Sequence, residues 1–237
     1  MENYEAWCQR IFGVAVPKPG VLVATSFPPN TEWGQKSHEA LLGVEVAYVD
    51  HLLAGLCRDD VPGVIAEFGI FEGWWINHLY EASERIGLLR PVVGYDSFRG
   101  LSAPHPTFDL PAKEGQFSAP IETVRQNVRA AERPRIRLIE GYFADSLERA
   151  EAQSIDRVAY ARIDCDLYEP AGQCLRYLAS RLSHGAVLIF DEWEHRTDFG
   201  ECRAFAEWLP TVPNLRFEFL FFGTYGHFYI RVWHRDR

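Results

Sequence analysis

Val64-Ile-Ala-Glu-Phe-Gly-Ile-Phe-Glu-Gly73 decides the fold, because it reads as a short apolar strand handed to a helix through two glycines. The turn Val61-Pro-Gly63 precedes it, and the helical pattern runs on through Trp75, Leu79 and Tyr80 towards Ile86. Glycines at 69 and 73 let the backbone approach a ligand closely, and the start of the helix offers unpaired N–H groups. Such a unit is typical of open α/β sheets, in which ligands lie beyond the carboxyl ends of the strands.

Outward from this unit the same alternation repeats. Val92-Val-Gly-Tyr-Asp96 reads as the second strand, Ile136-Arg-Leu-Ile139 as the third and Val158-Ala-Tyr-Ala-Arg-Ile163 as the fourth, ending in Asp164-Cys-Asp166. A fifth, over 186–190, ends in Asp191-Glu192. Helices are predicted over 121–131, 146–152, 171–182 and 202–208. Strands over 217–222 and 228–233, joined by Gly223-Thr-Tyr-Gly226, form a closing hairpin. The prediction is a Rossmann-like α/β domain with a seven-stranded, mostly parallel sheet. A C-terminal antiparallel hairpin completes it, and helices cover both faces. Residues 1–60, with helical stretches near 4–12 and 37–56, read as an N-terminal helical extension or cap on a domain spanning 61–237. Residues 101–120 hold prolines and glycines too densely for a regular element and read as a lid insertion.

Composition narrows the partners. The 237 residues are 47% apolar, which supports one sizeable core, and carry a formal charge of −9. That balance argues against a nucleic-acid backbone or an anionic membrane as partner. Only Lys18, Lys36 and Lys113 are lysines, so arginine supplies nearly all the positive charge. The five cysteines form no CxxC pair, which fits reduced thiols in a cytoplasmic protein. No leader is read in 1–25, and no apolar run of membrane-spanning length is expected.

Candidate chemistry gathers at the strand ends. Glu67, Phe68, Gly69 and Gly73 form the first turn; Asp96 and Ser97 end the second strand; Gly141, Tyr142 and Phe143 end the third. These are the candidate cofactor-binding residues. Glu67 lies directly behind the glycine turn, where a carboxylate repels pyrophosphate but can engage the ammonium of a methionine-like group. This favours S-adenosylmethionine over a dinucleotide, and the full GxGxxG is missing. Asp164 and Asp191 each follow an apolar strand, and the two strands read as neighbours. Their carboxylates, with Glu192, should therefore converge, and hard oxygen ligands suit Mg²⁺ or a similar cation. Each acidic pair also fits a helix N-terminus, so capping remains open, as does whether Asp166 joins the metal site.

Five segments occur together in order: Val61-Pro-Gly-Val-Ile-Ala-Glu-Phe-Gly69, Asp96-Ser-Phe-Arg-Gly-Leu101, Glu140-Gly-Tyr-Phe-Ala-Asp-Ser-Leu147, Arg162-Ile-Asp-Cys-Asp-Leu-Tyr-Glu169 and Ile189-Phe-Asp-Glu-Trp193. Together they resemble the macrocin O-methyltransferase family, which methylates sugar hydroxyls on antibiotics. The resemblance implies a class I methyltransferase using S-adenosylmethionine and a divalent metal. Asp164 would be metal ligand and general base, Asp191 and Glu192 the remaining ligands, and Glu67, Gly69 and Asp96 cofactor contacts. It also implies a homodimer or higher homo-oligomer. Glu192 stands where the family has a second aspartate, Cys165 replaces a common glycine and Pro170 a common Ser or Thr.

No lysine follows Lys113, so a lysine base is not expected; Asp164 can take the proton, with His195 or His105 as relay. Trp33, Phe108, Asp109 and Phe117 are candidate pocket residues. Two other readings remain: a nicotinamide-dependent oxidoreductase, and a non-catalytic S-adenosylmethionine-binding protein.

Overall fold

A computed structural model describes residues 3–14, 32–194, 196–223 and 226–236, with only the backbone described at 32–34, 37 and 38. The expected alternation is present. Strands β1 (Val64–Phe68), β2 (Val92–Asp96), β3 (Ile136–Glu140), β4 (Val158–Ile163), β5 (Leu182–Phe190), β6 (Leu215–Phe222) and β7 (Phe228–His234) form one sheet in the order β3-β2-β1-β4-β5-β7-β6. The first five are parallel, and β7 inserts antiparallel between β5 and β6. Strand order reverses between β1 and β4, the position at which an open sheet leaves a crevice for a ligand.

Helices α1 (Tyr4–Phe12), α2 (Glu32–Arg58), α3 (Trp74–Arg85), α4 (Ile121–Asn127), α5 (Phe143–Ser146), α6 (Ala150–Gln153), α7 (Tyr168–Leu178) and α8 (Gly200–Trp208) accompany it. Successive strand residues point to opposite faces, and the core divides accordingly. Ala66, Phe68, Leu188 and Phe190 pack with α1, α7 and α8 on one face. Ile65, Val187 and Ile189 pack with α2, α3 and α4 on the other. The strand over 186–190 begins earlier than expected, at Leu182, because Ser183 and His184 pair at its base: Ser183 donates to the Pro62 carbonyl and His184 Nδ1 accepts from His234 N–H.

The expected N-terminal cap is not a single layer. Its two helices lie on opposite faces of the sheet and belong to the two cores. Tyr4, Trp7, Cys8 and Phe12 of α1 are buried among the aromatics of α8 and β7, and Trp193 donates its indole N–H to Tyr4 at 2.7 Å. Val49, Leu52, Leu53 and Leu56 of α2 fill the second core. The stretch Glu39–Arg58 of α2 is also long and apolar enough to cross a membrane by length and composition, with a third of it buried. The sequence reading expects no such run. The difference arises because alanine, valine, leucine and glycine here outweigh scattered charges, one of which, Glu45, is turned into the core.

The loop after β2 is fastened rather than loose. Asp109 accepts from the N–H of Tyr168, at the start of α7, and from that of His105, each at 2.7 Å. His105 stacks on Phe108, whose ring also takes the Arg203 guanidinium at 3.5 Å. Asp109, His105 and Phe108 therefore anchor the loop to α7 and α8. They are absent from the wall of the main cavity, whereas Phe117 lines it. Trp33 falls among the residues described by backbone only, and His195 lies outside the described residues.

Candidate active site

The register explains how the acidic strand tips meet. Arg162 and Ile163 of β4 pair with Ile189 and Phe190 of β5, so one further step sets Asp164 beside Asp191. The Asp191 N–H donates to the Ile163 carbonyl at 2.9 Å and continues that pairing. On the other side the Asp164 N–H donates to the Phe68 carbonyl at 2.9 Å. Gly69 then passes so near that a β-carbon on it would stand 1.7 Å from the Asp164 carbonyl oxygen, at φ +88°. No other residue type fits there.

These tips open on a cavity of about 700 Å³. Of the expected cofactor residues, Glu67, Gly69, Asp96, Ser97, Gly141, Tyr142 and Phe143 line it. Phe68 and Gly73 do not. The Phe68 ring faces the core, stacked on Tyr95 at 4.6 Å, and Gly73 is the N-cap of α3, set against Val128. Asp96 has a structural task as well, accepting from Ile70, Phe71 and Phe98 N–H at 2.8, 3.0 and 2.7 Å. It thereby shapes the glycine turn. Glu67 is buried, and its Oε2 has no hydrogen-bond partner among the described residues. An unpaired buried carboxylate oxygen is costly unless a ligand completes it. An ammonium group would do so, which fits the amino-acid end of S-adenosylmethionine.

Asp164, Asp166, Asp191 and Glu192 all line the same cavity. Burial and the neighbouring Asp191 push Asp164 well above the usual carboxylate range. Burial and Asp191 likewise raise Asp166 to about 6, and burial, Asp191 and Asp166 raise Glu192 to about 7. Asp191 goes the other way: burial opposes its ionisation, but Arg162 and His227 outweigh it and bring it to about 2. Arg162 is 1% exposed, donates to Asp191 and, at 3.3 Å, to Asp164, and lies 4.4 Å over the Trp75 ring. His227 Nε2 is 2.9 Å from Asp191 Oδ1, and its Nδ1 meets Glu45 of α2. Burial alone would lower His227, but its bonds to Asp191 and Glu45 carry it up to about 9. Among the described residues, no three His, Cys, Asp or Glu side chains are gathered tightly enough to hold a metal ion as they stand. The oxygen donors and their unbalanced charge nonetheless suit a hard divalent cation.

Sequence reasoning missed Arg162, His227, Glu45 and Glu201. Glu201, in the first turn of α8, is fully buried. It accepts from the N–H of Cys165 at 3.4 Å and of Glu192 at 3.2 Å, bridging the two acidic tips. Glu194 in turn accepts from Glu201 and Cys202 N–H at 3.3 and 3.2 Å and caps that helix. A glutamate ten positions beyond Asp191, at the head of a helix, gives no sequence signal beyond ordinary capping.

Comparison with known proteins agrees with this geometry. Residues 32–212 match the family model described as Macrocin-O-methyltransferase (TylF). A Streptomyces olivaceus protein, 8-demethyl-8-(2,3-dimethoxy-alpha-L-rhamnosyl)-tetracenomycin-C 4'-O-methyltransferase, is 30% identical over 179 residues, 65% of this chain and 66% of its own. Demethyldecarbamoylnovobiocin O-methyltransferase of Streptomyces niveus is 24% identical over 177 residues, 68% and 64% of the two chains. The chain thus spans just under two thirds of the length of these relatives. The crystal structure of the calicheamicin methyltransferase CalS11 superposes with a TM-score of 0.66 at 26% identity, covering 89% of this chain and 88% of that one. With the sheet order, the glycine turn and the paired acidic tips in place, this chain belongs to the macrocin O-methyltransferase family.

Proposed function

We propose that the protein transfers a methyl group from S-adenosylmethionine to a hydroxyl of a sugar on a glycosylated natural product, with a divalent cation at the acidic tips. One observation carries the reading: Asp164 and Asp191 stand side by side in a cavity that also holds the unpartnered Glu67 oxygen. The relatives' names supply the acceptor class.

In this reading Glu67 receives the ammonium of the donor, and the turns at Gly69 and Gly141 admit its backbone-like and nucleoside parts. Asp164 accepts the proton of the acceptor hydroxyl. The oxygen then forms its bond to the methyl carbon as the carbon–sulfur bond breaks, and the electron pair stays on sulfur. The products are a methyl ether and S-adenosylhomocysteine. Holding both partners in line supplies most of the acceleration. Asp164, Asp191 and Glu192 would hold the cation, which when bound lowers the pKa of a nearby hydroxyl and screens the carboxylates.

The test is methyl transfer from labelled S-adenosylmethionine to sugar-bearing acceptors. Asp164→Asn should lower kcat by about 10²-fold or more, as loss of a general base does. Excess EDTA should silence the enzyme, and Mg²⁺ should raise the melting temperature of the wild type but not of Asp164→Asn. Full activity in EDTA would remove the cation from the mechanism, and a wild-type rate in Asp164→Asn would remove the base.

A further inference from the structure

Beneath the acidic tips, on the α2 side of the sheet, Glu45 of α2 and Tyr160 and Arg162 of β4 are buried, none more than 1% exposed. Each leaves one polar atom without a hydrogen-bond partner among the described residues: Glu45 Oε2, the Tyr160 hydroxyl and Arg162 Nη1. The Glu67 oxygen, already assigned to the donor, is left out of this set. Tyr160 and Arg162 alternate with Ala161 on β4 and so point to one face. The register carries that face across the sheet, since Arg162 pairs with Ile189 and Ile189 with Tyr229. The Tyr229 hydroxyl donates to Glu45 Oε1, which brings the α2 carboxylate over the same face. Burial pushes the Tyr160 phenol far up; Arg162 opposes this, and Glu67 and Glu45 add to it, so these groups share one part of the interior.

An unpaired buried polar atom is costly, and native interiors pair almost all of them. Chemistry limits what can pair these. Arg162 Nη1 only donates, the Glu45 carboxylate oxygen accepts, and the Tyr160 hydroxyl does either. A cation would meet the Arg162 guanidinium, and an anion would meet the Glu45 and Glu67 carboxylates, each at the cost of burying like charges together. A small neutral molecule that both donates and accepts satisfies all three.

We infer that an ordered water molecule bridges Glu45, Tyr160 and Arg162, and that through it Tyr160 is a positioning residue for the acidic tips. The water accepts from Arg162 and Tyr160 and donates to Glu45 Oε2, and about three bonds are usual for a buried water. Its importance lies in what Glu45 holds. Glu45 Oε1 meets His227 Nδ1 as well as Tyr229, and His227 Nε2 lies 2.9 Å from Asp191. A carboxylate tied by one oxygen turns readily about its last torsion. Tied by both, it fixes the imidazole and with it the place of Asp191. The kinetic part of this inference rests on the methyl-transfer reading; the water itself does not.

The test joins a crystal structure at a resolution that shows ordered water with thermal unfolding and kinetics of Tyr160→Phe. The water should stand within hydrogen-bond distance of Glu45 Oε2, the Tyr160 hydroxyl and Arg162 Nη1. Tyr160→Phe keeps the ring and removes the hydroxyl, so the sign of its effect on Tm is diagnostic. Loss of a bond that was made should lower Tm by about 2–4 °C in a chain of this size. Removal of a hydroxyl that was unpaired would raise it instead. The kcat for methyl transfer should fall about tenfold while KM for S-adenosylmethionine stays within about twofold, the pattern of lost outer support and not of a lost donor contact. Direct contact between Tyr160 and Glu45 with no water between them overturns the inference, as does a Tm that rises or holds, or an unchanged kcat. An ordered water and a lowered Tm in a protein that methylates no acceptor would uphold the water site and count against the methyl-transfer reading alone.

Discussion

At the scale of single residues, the site depends on buried carboxylates whose tasks differ although their chemistry is shared. Glu67 keeps one oxygen without a partner among the described residues, Asp164 lies beside Asp191, and Glu201 holds backbone. Burial, and then the neighbouring Cys165 and Glu194, keep Glu201 well above the usual carboxylate range. Glu201→Gln keeps one acceptor oxygen for the two N–H groups and should therefore lose less activity than Glu201→Ala. Glu201→Ala leaves the Cys165 and Glu192 N–H groups unpaired in the interior and should cost about 2 kcal/mol of stability, with kcat falling while KM for S-adenosylmethionine changes little; denaturant titration and steady-state kinetics read the two effects. Asp164 and Asp191 were legible because each directly follows an apolar run. Arg162 was not: it lies near the end of Val158–Ile163, a central strand buried along its whole length, where a charged side chain is unexpected, and only the facing aspartates make its burial tolerable.

At the scale of elements, α2 and β7 are coupled through one carboxylate. Glu45 meets His227 and also accepts from the Tyr229 hydroxyl, tying the long helix to the inserted antiparallel strand. Glu45→Gln and His227→Gln should not be additive, with a coupling of at least about 1 kcal/mol in a double-mutant cycle; independent effects would show that Asp191 is held without this link. The hairpin itself was readable from two apolar runs around a glycine-bearing turn. Its placement was not, because nothing local in Phe228–His234 says that it enters the sheet beside β5 with the start of β7 at the acidic tips. The two N-terminal helices were likewise visible as helices, but their division between opposite faces is a property of packing. Lid residues Asp109 and Phe108 read as pocket residues by position and prove to be fasteners.

At the scale of the whole molecule, the −9 charge is not spread evenly, since the cavity wall is one of its densest parts. S-adenosylmethionine carries a sulfonium charge that S-adenosylhomocysteine lacks, so the field favours donor over product. Raising NaCl from about 0.05 to about 0.5 M should weaken donor binding by about fivefold and product binding by less than about twofold, as screening of a focused field requires. Calorimetry at the two salts decides it, and equal salt sensitivity would show that the carboxylates do not act on the sulfonium.

The pairing of Glu45 with His227 joins residues 182 positions apart, and that of Tyr4 with Trp193 spans 189. During synthesis on the ribosome, the tips bearing Asp164 and Asp191 are made well before the imidazole that neutralises Asp191. Closing such long loops is slow relative to local helix formation. Catalytic competence is therefore among the last properties the nascent chain acquires, and until then its acidic crevice stays open and self-repelling.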